Sequence, residues 1–138
     1  MKMSSVKVIN TSGKRKKATA KAVIKAGSGV VTVNGRLVQY YEPKLARLKL
    51  MEPLSIADSY ASGVDIRVKV SGGGSFGQAD AARLAIARAL VAFTKDKKLE
   101  KDFLDYDRHL LVADVRRREP RKPNTAGKAR SKVQKSYR

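Results

Sequence analysis

The sequence predicts one α+β domain, with helices packed on one face of a mainly antiparallel sheet, followed by an extended basic tail. Three observations predict this fold class. Residues 64–70 alternate β-branched and charged side chains, which is typical of a strand with one buried face. Residues 78–93 place apolar side chains at helical spacing, as in a helix that packs on a sheet. Residues 116–138 have few large apolar side chains and cannot bury enough surface to fold alone.

The predicted strands lie in the first half of the chain. Residues 6–9 are a short strand candidate, and residues 18–26 alternate between small or apolar side chains on one face and mostly polar ones on the other. A glycine-rich turn at residues 27–29 leads to the β-branched residues 30–33. The sequence therefore predicts a hairpin, which the Asn-Gly pair at residues 34–35 terminates.

The predicted helices fill most of the remainder. Residues 37–60 contain several large apolar side chains but are interrupted by Pro43 and Pro53, which predict two short helices with turns at the prolines. The helix at residues 78–93 is followed by a shorter one at residues 99–106. Residues 110–112 are then the last apolar anchor before the tail.

Charged side chains are predicted on the sheet face that helices do not cover. Lys21 and Lys25 alternate with the alanines of one strand, and Arg67 and Lys69 alternate with the β-branched residues of another. An antiparallel sheet commonly packs one face on the core and leaves the other exposed. We expect these four cations to share an open face that meets a polar partner.

The composition limits the classes of function. The chain has 138 residues, no cysteine and one histidine, His109, which excludes thiol, zinc-thiolate and histidine-cluster chemistry. We expect His109 to pack in the core or at the base of the tail. The apolar runs are too short to cross a bilayer and no signal sequence is apparent, so we expect a soluble intracellular protein without cofactors.

The net charge points to a polyanionic partner. Lys and Arg number 31 against 12 Asp and Glu, a formal charge of +19 that would repel itself in a compact fold unless a polyanion were its usual neighbour. Nucleic acid is the first candidate and an acidic membrane surface the second. Residues 116–138 hold ten of the cations and a single Glu. The sequence therefore predicts a globular domain of residues 1–115 and a tail of residues 116–138.

Two clusters of cations are the candidate phosphate-binding groups. Turn-forming residues 10–13 precede the first cluster, so we expect it to lie on a loop. The second cluster is the tail, where Tyr137 between Lys135 and Arg138 is suited to stack on an exposed base. The candidate phosphate ligands are Lys14, Arg15, Lys16, Lys17, Arg116, Arg117, Arg118, Arg121, Lys122, Lys128, Arg130 and Lys132.

A glycine motif provides the main argument for an enzyme. Gly72, Gly74 and Gly77 match G-x-G-x-x-G between a predicted strand and a predicted helix, the setting of a dinucleotide-binding turn. Such a unit also needs a second parallel strand that ends in an acidic residue, yet residues 95–102 are charged and not strand-like. The alternative is a tight backbone path from strand to helix, whose amides are available to an RNA phosphate.

Several motifs together resemble one protein family. They are residues 13–20 (GKRKKATA), residues 33–36 (VNGR) with two tyrosines after them, residues 72–79 (GGGSFGQA), residues 87–90 (ARAL), and the ending at residues 128–138. In this order they resemble the S-nine family, the ninth universal protein of the small ribosomal subunit. Residues 110–114 (LLVAD) and the Ser-Tyr-Arg terminus resemble its archaeal and eukaryotic branch, and residues 78–81 (QADA) its archaeal form.

The resemblance implies a fold, a location and partners. It implies a four-stranded sheet with helices on one face, of the kind called ribosomal S-five domain-two-like. It also implies a cytoplasmic location in the ribosome, in the small-subunit head, beside small-subunit ribosomal RNA and neighbouring head proteins. The tail is then expected to reach the peptidyl-site tRNA, with Lys135, Tyr137 and Arg138 as tRNA-binding residues and the other cations named above on rRNA.

The sequence thus predicts a structural RNA-binding protein of the small ribosomal subunit. We expect no catalytic activity, no small-molecule substrate and no membrane association. Two other hypotheses remain open. One is a free basic protein that packages DNA or RNA, which needs the same charge. The other is a nucleotide-binding enzyme that uses the glycine motif.

Overall fold

One five-stranded sheet organises the chain. The computed structural model describes residues 6–132, and in it the strand order is β1-β2-β5-β3-β4. The strands are β1 (Val8–Arg15), β2 (Ala18–Ala26), β3 (Val31–Val33), β4 (Arg36–Leu37) and β5 (Val64–Ser71). The helices are α1 (Lys44–Ile56), α2 (Asp58–Ala61), α3 (Ser75–Thr94) and α4 (Lys97–Tyr106), with single 3₁₀ turns at Val38–Tyr40 and Arg108–Leu110.

The core lies between one face of this sheet and the helices. Neighbouring strands are antiparallel except β3 and β5, which are parallel. Side chains of one face, such as Ile24, Ile66 and Val68, are buried under α3, and α1 packs on α3 in turn. The predicted α+β class and the strands at residues 18–26 and 64–70 are confirmed. The sheet has five strands instead of four because the two-residue β4 extends its edge.

The predicted hairpin of residues 18–26 and 30–33 is wrong. The strand β3 pairs with β5, which lies between β2 and β3. The segment between β2 and β3 therefore passes the end of β5. Asp65 of β5 holds this segment, because its carboxylate accepts hydrogen bonds from the amides of Ser28 and Val30, at 2.9 and 3.0 Å. The Asn34-Gly35 pair forms the turn between β3 and β4, with φ values of 50° and 81°.

The predicted turn at residues 10–13 is also wrong. The strand β1 continues through these residues to Arg15 and pairs with β2 along its whole length. Gly13 accounts for the difference, since a Cβ there would overlap the carbonyl of Ala81 and lie 2.9 Å from the amide of Ala85. Thr11 donates a hydrogen bond to the Ala85 carbonyl at 2.9 Å. Small and hydroxylated residues therefore serve a close approach of β1 to α3, not a turn.

The helices confirm the predictions in part. The helix α3 includes the predicted residues 78–93 and begins earlier, at Ser75. The helix α4 confirms the prediction for residues 99–106, and Leu110 is fully buried as an anchor. The predicted break at Pro53 is wrong: α1 runs through this proline, which is buried with other side chains of the helix. Packing of α1 on α3 outweighs the missing amide hydrogen bond.

Residues 113–132 contain neither helix nor strand. They are not fully extended, because the Lys122 amide donates to the Lys128 carbonyl and the Lys128 amide donates to the Thr125 carbonyl, both at 3.2 Å. Positive φ angles at Asn124 and Gly127 accompany this turn. Among the helices between residues 6 and 132, none combines the length and apolarity that a membrane crossing requires.

Candidate nucleic-acid interface

The first cation cluster forms the tip of the β1–β2 hairpin. Lys14 and Arg15 end β1, and Lys16 and Lys17 are the two-residue turn, with Lys16 at a φ of 53°. We call Lys14, Arg15, Lys16 and Lys17 the basic turn. The three lysines are exposed, and in the stretch from residue 6 to residue 132 no carboxylate lies within 4.0 Å of their ammonium groups. Their charge is available to a ligand.

Arg15 differs from its three neighbours because carboxylates surround it. Its guanidinium hydrogen-bonds to the Asp114 carboxylate, and its Nε lies 3.8 Å from Asp80 Oδ2. Lys49 Nζ approaches the other oxygen of Asp80 at 2.8 Å. We call these four residues, together with Arg116, the ion-pair network. The network joins β1, α1 and α3 to the chain that leaves the domain.

Asp114 fixes the direction in which the tail departs. Its carboxylate accepts hydrogen bonds from the amide of Arg116 at 2.9 Å and from the guanidinium of the same residue at 2.6 Å. The hydrogen bond from the Arg116 guanidinium is the main reason that the pKa of Asp114 lies well below its usual range. The bond from the Arg116 amide and the positive charges of Arg116 and Arg15 lower this pKa further. The carboxylate thus stays ionised and holds the beginning of the tail beside the basic turn.

Two arginines of α3 hold the preceding segment. Arg88 donates through Nε to the Leu111 carbonyl and through its guanidinium to the Ser12 carbonyl, both at 3.0 Å. Arg83 donates to the Asp107 carboxylate at 3.0 Å and pairs with Glu52 of α1. Burial acts to raise the pKa of Asp107, but hydrogen bonds from the His109 amide and Arg83 outweigh it and keep this pKa below its usual value. His109 itself is exposed, at the base of the tail and not in the core.

The basic turn, the glycine motif and the beginning of the tail line an open cleft of about 910 Å³. We call it the glycine-loop cleft. Its lining residues are Arg15, Lys16, Lys17, Gly73, Gly74, Phe76, Gly77, Asp80, Arg116, Arg117 and Arg118. The fold therefore brings the two cation clusters of the sequence together at one place, although about one hundred residues separate them.

The glycine motif provides the tight backbone path that the sequence allowed as an alternative. Gly72 has a φ of 76°, and a Cβ there would lie 2.5 Å from the Lys17 carbonyl, so no other residue fits. After α3 the chain enters α4, and among residues 6–132 no strand follows that helix. The second parallel strand of a dinucleotide-binding unit is therefore missing from the part of the fold that is described.

A separate cationic surface lies on the uncovered side of the sheet. Lys21, Lys25, Arg67 and Lys69 are exposed there, which confirms that they share the open face. Lys21 stands directly opposite Lys69 in the β2–β5 register, an unfavourable pairing of like charges. The only acidic residue in their stretches of strand is Asp65, which the backbone amides of Ser28 and Val30 already engage.

Apart from Arg116, which pairs with Asp114, the described tail cations fall into two groups. Lys122 and Arg130 both pair with Glu119, at 3.1 and 2.9 Å, and so draw the tail back on itself. Arg117, Arg118, Arg121, Lys128 and Lys132 are exposed, and no carboxylate between residues 6 and 132 forms an ion pair with any of them. Lys135, Tyr137 and Arg138 lie outside the described residues, so their predicted contact with tRNA stays a prediction.

Sequence reasoning misses the acidic half of this arrangement. Asp80 and Asp114 are 34 positions apart, and neither lies within 60 positions of Arg15, so no local pattern joins them. Phe76 belongs to the glycine motif, which by itself assigns this residue no function, and no cation lies within six positions of it in the sequence. The cations themselves are found by charge alone, which does not distinguish paired from unpaired groups.

Comparisons with known proteins agree with the resemblance. The sequence profile of the family described as "Ribosomal protein S9/S16" matches residues 13–138. "Small ribosomal subunit protein uS9" of Thermoplasma volcanium is 52% identical over 128 residues, covering 93% of this chain and 96% of that protein. The protein of the same name from Thermoplasma acidophilum is 55% identical over 128 residues, 93% of this chain and 98% of its own length. Both relatives are archaeal, as the resemblance implied, and the chain belongs to the ribosomal protein S9/S16 family.

Proposed function

We propose that this chain is a structural protein of the small ribosomal subunit, in the cytoplasm, and that it binds rRNA through the basic turn and the tail. Membership of the family supports the assignment to the small ribosomal subunit. The main support for rRNA binding is that four cations line one cleft and form no ion pair within residues 6–132. They are Lys16, Lys17, Arg117 and Arg118. Unpaired cations in such a cluster destabilise a free protein unless phosphates neutralise them.

The cations divide into two roles in this proposal. The unpaired ones supply most of the counterion release that drives binding to RNA. Arg15 and Arg116 also line the cleft, but Asp80 and Asp114 offset their charge, so they position the tail and contribute less to phosphate binding. Lys122 and Arg130 become phosphate ligands once RNA competes with Glu119. The remaining proposed rRNA ligands are Lys14, Arg121, Lys128 and Lys132.

The open face of the sheet is a second surface of this proposal. Lys21 and Lys69 face each other across two strands, so an RNA phosphate between them would relieve their repulsion. Backbone contacts of this kind fix the position of a protein on RNA and read little sequence. The neighbouring head proteins of the small subunit are further proposed partners.

The end of the tail is proposed to reach the peptidyl-site tRNA. The 24 residues that follow Asp114 span about 80 Å at most when extended, at roughly 3.3 Å per residue. Lys135 and Arg138 would meet phosphates, and Tyr137 would stack on a base. Removal of residues 134–138 is expected to weaken tRNA binding to purified small subunits while the protein remains assembled. Unchanged tRNA affinity would exclude this role for the tail.

The subunit assignment has a direct test. A tagged copy of the chain, separated from a cell extract on a sucrose gradient at moderate salt, is expected to sediment with small ribosomal subunits. Sedimentation with chromosomal DNA would contradict the proposal and support a free packaging protein. The ribosomal protein family to which the chain belongs is not an enzyme family, and we propose no catalytic role, cofactor or small-molecule substrate.

A further inference from the structure

One aromatic ring is exposed inside the glycine-loop cleft. Phe76 lies in the first turn of α3 and is 46% exposed, although the other residues of the cleft wall are cations, glycines and Asp80. It is not among the residues that form the hydrophobic core. Lys49 Nζ lies 6.0 Å from the centre of the ring, at the outer limit of a cation–π contact. The ring is therefore not part of the hydrophobic core and remains half exposed in the cleft.

Gly74 is the second feature of the cleft wall. A Cβ at Gly73 would meet the Ala18 Cβ and amide at 3.2 Å, so a side chain there would crowd β2. A Cβ at Gly74 would meet no atom within 4 Å, and the φ of this residue, −101°, suits any amino acid. The missing side chain at Gly74 keeps the cleft open beside the ring of Phe76.

Two pairs of cations line the cleft together with the ring. Lys16 and Lys17 come from the basic turn, and Arg117 and Arg118 come from the tail. The Asp80 carboxylate, which also lines the cleft, is offset by Lys49 at 2.8 Å and Arg15 at 3.8 Å. A planar apolar surface in a cleft that two pairs of cations also line suits one nucleotide of a strand, with its base on the ring and its flanking phosphates on the cations.

We propose that the glycine-loop cleft holds one unpaired nucleotide of an RNA strand, with the base stacked on Phe76. Lys16 and Lys17 bind the phosphate on one side of that nucleotide, and Arg117 and Arg118 bind the phosphate on the other. The cleft volume of about 910 Å³ is in the range of small-ligand sites, so it has room for a base and a sugar. This inference rests on the proposed function and specifies the RNA element at this site: a bulge, loop or single strand, not a helix.

A short single-stranded RNA with 2-aminopurine at its centre tests the proposal. The full chain is expected to bind this oligonucleotide and quench its fluorescence, because stacking on an aromatic ring quenches 2-aminopurine. Phe76→Leu removes the ring and keeps an apolar side chain, and it is expected to weaken binding about tenfold and abolish the quenching that depends on the ring. Phe76→Tyr is expected to keep both. Affinity for an RNA duplex of equal length is expected to stay within about twofold in both variants, since phosphate contacts dominate there.

Gly74→Leu tests the same site without altering charge or the ring. The new side chain would enter the open space of the cleft, and the expected result again is about tenfold weaker binding of the single strand with loss of quenching. Gly63→Leu is the matched control, because a Cβ there would meet nothing closer than 3.9 Å and the residue lies at the opposite end of β5. Tyr40→Leu is the control for loss of an exposed aromatic, since Tyr40 is 70% exposed and does not line the cleft. Both controls are expected to bind and quench as the wild type does.

The outcomes separate this proposal from the proposed function. Retention of affinity and quenching by both Phe76→Leu and Gly74→Leu, with RNA binding intact, would overturn the nucleotide site alone. Absence of salt-dependent binding to any RNA would overturn the proposed function as well. Displacement of the oligonucleotide by ATP at equal concentration would identify a free nucleotide as the ligand and overturn the RNA strand. Equal displacement by an acidic peptide that contains phenylalanine would assign the cleft to a protein partner and overturn it too.

Discussion

The ion-pair network and the unpaired cations of the basic turn use the same residue types for different purposes. In the network, Arg15 and Arg116 each face a carboxylate, and these contacts hold the beginning of the tail against β1 and α3. At the basic turn, Lys16 and Lys17 protrude with no such partner among residues 6–132. The net charge therefore adds together two kinds of cation. Paired cations stabilise the fold, and unpaired cations remain available to phosphate groups.

The largest expected effect concerns the packing beneath the network. Gly13→Ala would drive a methyl group into the Ala81 carbonyl and the Ala85 amide of α3, so β1 must move away from the helix. The expected loss is about 3 kcal/mol in the free energy of unfolding, measured by urea denaturation. Gly74→Ala is the matched control, because its Cβ would meet nothing within 4 Å, and it is expected to change stability by less than about 1 kcal/mol. Equal effects of the two substitutions would contradict the close approach of β1 to α3.

A smaller loss of stability is expected when one cation is removed from its partners. Arg83→Leu leaves the carboxylates of Glu52 and Asp107 without their ion pair, and the side chain of Arg83 is only 13% exposed. The free energy of unfolding is expected to fall by about 2 kcal/mol, less than for a fully buried pair because both acids reach solvent. Arg83→Lys keeps the charge but not the fork geometry, so an intermediate loss is expected. If Arg83→Leu were as stable as the wild type, the ion pairs of Arg83 would not stabilise the fold, which would contradict this prediction.

The effect of pH depends on Asp114. Folding lowers the pKa of this carboxyl, and a group of this kind stabilises the fold only while it is ionised. Its contribution is therefore complete above its unfolded pKa of about 3.9 and disappears as the pH falls toward the lower folded value. Asp114→Asn is expected to lower the melting temperature near neutral pH, with the difference from wild type closing below about pH 4. Asp102→Asn, which removes a carboxylate at an exposed position on α4, is the control and is expected to leave the melting temperature near neutral pH unchanged.

The smallest expected effect has the opposite sign. Lys69→Glu places a carboxylate opposite Lys21 where the chain has two like charges, so the free protein is expected to gain a few tenths of a kcal/mol. The same substitution is expected to weaken binding to small-subunit rRNA, because a cation of the open face is replaced by an anion. Thermal denaturation and filter binding measure the two quantities. A loss of stability together with unchanged RNA binding would show that the open face is not an RNA surface.

The elements with clean periodicity could be predicted from the sequence. Residues 64–70 and 78–93 each bury one face against a continuous core, so their apolar residues recur with the period of a strand and of a helix. The partner of β3 could not be predicted, because pairing with β5 depends on the side chain of Asp65 more than 30 positions away. The prediction for residues 10–13 is wrong because glycine and hydroxyl residues suit a turn and a close helix contact equally well.

The candidate site could be predicted only in its charge. Lys14 to Lys17 and the arginines after residue 115 form obvious clusters in the sequence. The carboxylates that divide these cations into paired and unpaired ones come from α3 and from residue 114, and only the fold brings them to Arg15. The cleft is formed by three segments that are distant in the sequence and meet only in the fold, so no spacing of residues along the chain predicts it.

The most direct test of the account compares paired with unpaired cations in one RNA-binding assay. Binding of small-subunit rRNA would be measured over a series of KCl concentrations for the wild type, Lys16→Gln/Lys17→Gln and Arg15→Gln/Arg116→Gln, each verified as folded by circular dichroism. We expect the first double variant to lower the slope of log affinity against log salt by about 1.4–1.8, at ~0.7–0.9 for each of the two phosphates that the protein no longer neutralises, and the second to lower it by less than one. An unchanged slope for Lys16→Gln/Lys17→Gln, or an equal decrease for the two double variants, would contradict the division into paired and unpaired cations.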